Sequence, residues 1–484
     1  MGGNGKGELL SFKVRVTNEE VIAAVLPTQD HWLPFSNLDL LLPPIDASVF
    51  FCYNNNTEEM LSFESMVGTL KNSLAQALVP YYVLAGEVVQ NSMGEPELHC
   101  NNRGVEFIEA EADVELRSLN LYNPDESIEG KLVPKKKHGV LAVQACIATW
   151  LKCGGLVIAC TTDHRLIDAY GVKMFLVSWA QLAQSTKPIM LTHQPCCRRS
   201  LLSPRRPPSA HPSIDRTYVL LSDLPPPPPE PKPDPLSGPN ISRIYYVTIE
   251  ELNRIQALAS STEFKPTKFV SLSAFLWKMV ATASSASSSS NAVVDGCNKK
   301  RGIVAKMGIA VDGRTRLSNG DKKKEALMNS YFGNVVSIPF EGEEVGKLIE
   351  KPLTLAAEQV REFLEVATTE EHFLGLIDWV EVHRPTPAVA RISCETNDGP
   401  CFVVSSGRRF LESNVDFGWG KPVFGSCHCP WKGGCGYVMP FPSPKGNGDW
   451  VIFMNLQKNL LEFMESHFPH IFRPLSWDYL TNKI

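Results

Sequence analysis

The stretch Leu156-Val157-Ile158-Ala159-Cys160-Thr161-Thr162 consists of residues suited to a buried strand, and Asp163-His164-Arg165-Leu166-Ile167-Asp168 then turns abruptly polar. Upstream, Val140 to Trp150 is equally apolar, and Cys153-Gly154-Gly155 supplies turn residues between the two runs, so the spacing predicts a β-hairpin. Downstream, Val172, Phe175, Leu176, Trp179 and Leu182 recur at helical spacing from Ala169 to Ala183. The second strand therefore delivers His164 to a strand-to-helix junction, where a reactive side chain is held rigidly. An imidazole with an ordinary pKa of about 6.5 suits proton removal at neutral pH. His164 and Asp168 form an HxxxD element; two polar residues four apart are by themselves better explained as structural, and it is the position of His164 that makes it a candidate base.

Farther out, Leu61, Met66, Leu70, Leu74, Ala77 and Leu78 predict an amphipathic helix ending near Pro80. From Pro195 to Pro239 proline dominates, with an unbroken run from Pro225 to Pro229, and such a stretch is expected to hold neither helices nor ladders. It predicts a crossover loop, partly polyproline II, dividing the chain into a first lobe at 1–190, a linker at 191–242 and a second lobe at 243–484. Ser284 to Ser290 reads as a loop, Lys322-Lys323-Lys324 as a solvated face, and no solenoid repeat is present.

With 484 residues and 43% hydrophobic content, the chain can bury a large core. A formal net charge of −5 lacks the basic footprint of a nucleic-acid binder. Met1-Gly2-Gly3-Asn4-Gly5-Lys6 resembles no targeting peptide, and no apolar run approaches the roughly 18 residues of a membrane span. The expectation is a cytoplasmic protein without nucleic-acid or membrane partners. Thirteen irregularly spaced cysteines are expected to be reduced and mostly buried. Cys427-His428-Cys429, with Cys435 following, lacks the spacing of paired zinc knuckles and reads as a strand running into a glycine-rich loop, so no metal is expected. Cys160, four residues before His164, is expected to pack rather than act as a nucleophile. Lys135 to Lys137 read as a solvated loop, and no residue is assigned to cofactor binding.

A second element, Asp416-Phe417-Gly418-Trp419-Gly420-Lys421-Pro422, lies about 250 residues later. Glycines alternating with aromatics mark a tight backbone corner. HxxxD followed by DFGWG near the C-terminus resembles the signature of the plant BAHD acyltransferases. The resemblance extends through Leu70-Lys71-Asn72-Ser73-Leu74, a "PLAG"-like strand at Tyr81 to Gly86, Gly104 to Ala110, Val143-Gln144, Cys153-Gly154-Gly155, Asp312-Gly313-Arg314 and Phe332-Gly333-Asn334.

That resemblance implies an α/β fold of two similar-sized lobes, each a mixed β-sheet flanked by helices, with a channel between them. It implies an enzyme that uses acyl-CoA as co-substrate, with no permanently bound cofactor, acts on a small alcohol and works as a monomer. His164 would be the general base. Asp168 would orient the loop through a salt bridge to Arg314, and Asp416 would be structural at the active site. Ser405 is the candidate oxyanion donor, standing where shikimate-using hydroxycinnamoyltransferases tend to carry Thr or Ser followed two residues later by Trp. Gly407 occupies that later position here, and the missing indole is expected to widen the pocket. Asp163-His164-Arg165-Leu166-Ile167-Asp168-Ala169-Tyr170 is similar to the coniferyl alcohol acyltransferase subgroup, as are Trp32 to Pro44, Val49 to Tyr53 and Arg198 to Leu202. This names acetyl-CoA as donor and coniferyl alcohol as acceptor. The alternatives are hydroxycinnamoyl transfer to shikimate, quinate or an amine, and a non-catalytic binding protein on the same scaffold.

Overall fold

Leu141–Ala148 and Gly155–Asp163 form the expected hairpin, antiparallel from Leu141 opposite Thr162 to Ala148 opposite Gly155. Both strands are almost wholly buried because they lie inside a six-stranded mixed sheet. Its order is Val14–Ile22, Val105–Ala112, Leu141–Ala148, Gly155–Asp163, Asp46–Tyr53 and Phe424–His428. Strands covered on both faces read as continuous apolar runs, as this hairpin does. The computed structural model describes residues 12–54, 61–148, 155–185, 190–192, 194–225, 239–289, 302–394, 399–409, 415–430 and 434–481. The turn at Cys153-Gly154 lies outside them.

Two helices, Phe63–Ala77 and Ala169–Gln184, cover this sheet and pack on each other. The Ser62 hydroxyl caps the first by accepting the Ser65 N–H. Trp179 joins the pair, its indole N–H donating to the Leu70 carbonyl at 3.1 Å and the Ser73 hydroxyl at 2.9 Å. A second, seven-stranded mixed sheet runs Phe340–Glu344, Val304–Ile309, Cys401–Val404, Gly436–Pro442, Trp450–Gln457, Asn240–Val247 and Arg473–Pro474. The helix Lys268–Ser289 packs behind it, with Trp277 donating to the Ala305 carbonyl at 3.0 Å. Each sheet has its own hydrophobic core. The fold is thus the two-lobed α/β arrangement of mixed sheets flanked by helices.

Several local expectations are corrected. The proline-rich stretch holds short elements: a 3-10 turn at Arg199–Leu202, a helical turn at Ile214–Thr217, and a strand Tyr218–Leu220 that pairs with Ala388–Ala390. Residues 226–238, with most of the proline run, lie outside the described residues. The serine-rich segment from Ser284 continues the long helix to Ser289, because the preceding turns already supply the nucleus and serine carries only a modest helical penalty. Residues 268–286 of that helix are long and apolar enough to cross a membrane, contrary to the reading of the sequence. Here Leu272, Leu276, Trp277 and Val280 are buried in the second core. Tyr82–Ala85 is a 3-10 turn rather than a strand, and the strand begins only at Glu87; between them Gly86 lies so close to the His99 carbonyl that a Cβ would sit 2.6 Å from it.

Phe424–His428 comes from the second half of the chain yet forms an edge of the first sheet. It pairs antiparallel with Asp46–Tyr53, from Phe424 opposite Cys52 to His428 opposite Ser48. Phe424 is fully buried, with its ring edge-on to Phe50 at 5.9 Å. Phe424→Ala is expected to lower the unfolding free energy by about 3–5 kcal/mol, the usual cost of truncating a buried phenylalanine. Urea unfolding checks this, and a loss below about 1 kcal/mol would show that the added strand does not depend on that ring.

Candidate active site

His164 stands where the central strand ends, and its surroundings fix its backbone. Its N–H donates to the Ile45 carbonyl at 2.9 Å. The Asn334 side-chain amide donates to the His164 carbonyl at 3.1 Å and to that of Arg165 at 2.9 Å. Asp163 closes the turn by accepting the Arg165 N–H at 3.0 Å and its guanidinium at 3.0 and 2.7 Å. His164 is partly buried, and its Nδ1 finds no protein partner among the described residues. It lines a cavity of about 1080 Å³ together with Asp46, Pro134, Pro385, His428 and Tyr437, so both halves of the chain supply the wall.

Behind His164, Asp168 serves two purposes. One carboxylate oxygen caps the helix Ala169–Gln184 by accepting the Gly171 N–H at 3.0 Å. The carboxylate also receives Arg314 through two guanidinium nitrogens at 2.8 and 3.1 Å, and the Val335 N–H at 3.0 Å. Arg314 is fully buried, lies over the Tyr170 ring at 4.4 Å and donates to the Gly333 carbonyl at 2.9 Å. Burial alone would push the Asp168 carboxyl up; the Arg314 charge and its hydrogen bonds, with the Val335 and Gly171 N–H groups, outweigh burial and hold it below the ordinary carboxylate range.

Asp416 does not line the cavity that His164 lines. Its Oδ1 accepts the N–H groups of Gly418 at 2.8 Å and Gly420 at 3.0 Å. These glycines have φ of +110° and +103°, which a side chain would strain. The corner seats Phe417 and Trp419 against Tyr53, whose hydroxyl donates to the Val415 carbonyl at 2.8 Å. Asp416 shapes this loop.

Ser405 lines a different cavity from His164, one of about 210 Å³ shared with Asp168, Tyr170, Arg314, Arg408 and Met439. Tyr437 lines the larger cavity, and its hydroxyl donates to the Met439 sulfur at 3.4 Å, a residue that lines the smaller one. The expectation that Gly407 widens the pocket is overturned. Gly407 is buried, and a Cβ there would lie 2.4 Å from the Phe441 ring and 2.8 Å from the Pro440 carbonyl. The space of an indole is filled by Phe441.

Residues 12–471 match the Transferase family, that of the BAHD acyltransferases. The chain belongs to this family. Among curated relatives, this acyltransferase is 27% identical to the omega-hydroxypalmitate O-feruloyl transferase of Arabidopsis thaliana, over 87% of this chain and 85% of that protein. It is 25% identical to the shikimate O-hydroxycinnamoyltransferase of Nicotiana tabacum, over 94% of this chain and 99% of that protein. Among solved structures, that of vinorine synthase superposes with a TM-score of 0.67 at 20% identity, covering 96% of this chain and 100% of that chain. The protein is therefore an acyltransferase for groups other than aminoacyl groups, and acyl-CoA is its co-substrate.

Several residues around the acyltransferase site were given no role from the sequence. Cys160 is buried and its thiol is pushed up to about 12 by burial, which fits packing. Lys136 pairs with Asp46 at 3.3 Å and Lys137 with Glu19 at 2.8 Å. Of Cys427-His428-Cys429, only His428 joins a group of metal-type donors, with Asp125 and Glu129 within 4.8 Å. The fully buried Asp39 was also missed. A lone acid inside Leu38-Asp39-Leu40-Leu41 is the available signal, since a carboxylate in an apolar run has to be partnered.

Two outcomes follow from this geometry. Asp168→Asn is expected to cost about 3–5 kcal/mol at pH 7, by leaving the buried Arg314 unpaired. Because the folded-state pKa of Asp168 is depressed, its contribution is fully present above the unfolded value of about 3.9 and is lost as pH falls through the lower folded value. Urea titrations at pH 7 and below pH 4 should show the gap to wild type narrowing; a gap that widens in acid would contradict the assigned charge state. Gly407→Trp is expected to lower thermal stability by overpacking, by about 1–3 kcal/mol or more, without changing the ratio of rates between acceptors. A changed acceptor ratio at unchanged stability would place residue 407 in the substrate cavity.

Proposed function

We propose that the enzyme transfers an acyl group, acetyl from acetyl-CoA, to the hydroxyl of a phenylpropanoid alcohol such as coniferyl alcohol, with His164 as general base. The observation that carries this reading is a histidine fixed at a strand end and facing a large cavity walled by both halves of the chain. The imidazole takes the acceptor's hydroxyl proton as the oxygen attacks the thioester carbonyl. The tetrahedral intermediate then collapses, and CoA thiolate leaves and takes the proton back from the imidazolium. Ser405 is assigned to the developing oxyanion, which requires the smaller cavity that it lines to open to the one that His164 lines. Asp168 and Asp416 act through architecture.

The acceptor assignment rests on the DHRLIDAY stretch. Prolines at 43, 44, 134, 385 and 387 also give the cavity a largely apolar wall. A second reading, hydroxycinnamoyl transfer, is favoured by the names of the relatives, which act with feruloyl or hydroxycinnamoyl groups on a hydroxy fatty acid or on shikimate.

His164→Ala is expected to reduce kcat by about a hundred- to ten-thousand-fold while the protein still folds. Retention of more than about half of wild-type kcat would remove His164 from the mechanism. With acetyl-CoA saturating, kcat/KM for coniferyl alcohol should exceed that for shikimate by about a hundredfold, the scale of an unpaired polar group. Efficient turnover of shikimate with coumaroyl-CoA, and none of coniferyl alcohol with acetyl-CoA, would establish the second reading instead.

A further inference from the structure

Three stretches meet behind His164 in one buried cluster. Asp39, from the Trp32 to Pro44 segment, is fully buried. Its Oδ1 accepts both the backbone N–H and the side-chain amide of Asn334, each at 2.9 Å. Its Oδ2 accepts the Ser36 N–H at 2.9 Å and the Ser36 hydroxyl at 2.7 Å. Arg199, from the crossover stretch, places its Nε 3.1 Å from that same oxygen and donates to the Phe332 carbonyl. Asn334 is fully buried too, and the remaining reach of its amide goes to the carbonyls of His164 and Arg165.

We propose that Asn334, oriented by the Asp39–Arg199 ion pair, is a positioning residue that sets the angle at which His164 meets the acceptor hydroxyl. The inference rests on His164 being the base. The His164 backbone is held at its N–H by Ile45 and at its C=O by Asn334, so the peptide planes on both sides of the residue are fixed. The Asp168–Arg314 pair fastens the loop four residues later, whereas the Asn334 clamp acts on the base itself. The two amide hydrogens are shared among three acceptors, the Asp39 carboxylate and the carbonyls of His164 and Arg165, so the amide has to be held in one orientation. The Asp39 carboxylate, anchored by Ser36 and Arg199, supplies the acceptor that prevents the amide from flipping. Loss of the amide frees the His164 carbonyl, and an imidazole displaced by the order of 1 Å loses about a hundredfold in rate.

The test compares Asn334→Ala and Asn334→Ser with Lys278→Met. Lys278 donates to the carbonyls of Leu348 at 2.7 Å and Ile349 at 2.8 Å in the second lobe, so its loss lowers stability without touching the loop. All three variants are assayed well below their melting temperatures, with the pH profile of kcat/KM. The expected result is a fall in kcat of about ten- to a hundredfold for both Asn334 variants, with KM for acyl-CoA within about twofold and a moved pH midpoint. Lys278→Met should keep kcat within about twofold at a comparable loss of stability. In a His164→Ala background, Asn334→Ala should add no more than about a further twofold. Asn334 variants with wild-type kcat and pH midpoint, while His164→Ala is inactive, would overturn the clamp and leave the base assignment standing. A loss that persists undiminished in the His164→Ala background would also overturn it, and an active His164→Ala enzyme would instead sink the base assignment.

Discussion

A guanidinium and a carboxylate, both shut away from water, form the contact on which the rest of this enzyme depends. Asp168 comes from the first half of the chain and Arg314 from the second, and their two-point contact brings the lobes together immediately behind the candidate base. Such a pair contributes little net stability beyond what a well-packed apolar substitute would give. Its strength is geometric, because a planar fork held by a carboxylate, a backbone carbonyl and an aromatic face has few alternative arrangements. Asp168 also caps a helix, so that arrangement passes directly into the orientation of Ala169–Gln184 beneath the first sheet.

The site follows from this joint. A strand buried on both faces cannot shift in register without moving its entire hydrophobic set, so its last residue is placed to within the tolerance of the core. Helix, ion pair and hairpin thus meet around a turn that exposes one imidazole to a cavity. The lobes supply opposite walls: Asp46 and Pro134 from one, Pro385 and Tyr437 from the other. Catalytic residues mounted on a rigid seam can be surrounded by variable loops, which is consistent with relatives that share this fold and differ in acceptor.

Much of this was legible in the residues. The hairpin was readable because a central strand leaves a continuous apolar run, and the helix after it because its buried face repeats at 3.6 residues. Asp168, Arg314 and Asp416 were nameable only through a family signature, since nothing local to Asp312-Gly313-Arg314 says that its guanidinium reaches back 146 positions. Gly407 shows the opposite limit. An absent side chain in the sequence looked like empty space, but Phe441, on a neighbouring strand, fills it. Asp39 alone carried a signal, as an acid in an apolar run; its partners Arg199 and Asn334 lie more than a hundred positions away and are unremarkable in their own stretches. The helical serines from 284 were misread because composition alone does not reveal that a buried helix upstream has already met the cost of nucleation.

The excursion of Phe424–His428 into the first sheet has a bearing on how such enzymes can be recombined. A chimera made by joining the first half of one homologue to the second half of another at the proline-rich linker would not exchange whole lobes. It would carry a foreign edge strand into the recipient sheet, beside Ser48 and one wall of the substrate cavity. The natural unit for exchange is therefore discontinuous: the first lobe together with a short insert taken from near the opposite end of the gene. A first lobe produced alone would present Asp46–Tyr53 as an uncovered, apolar edge, the kind of surface through which sheets join to one another in aggregates.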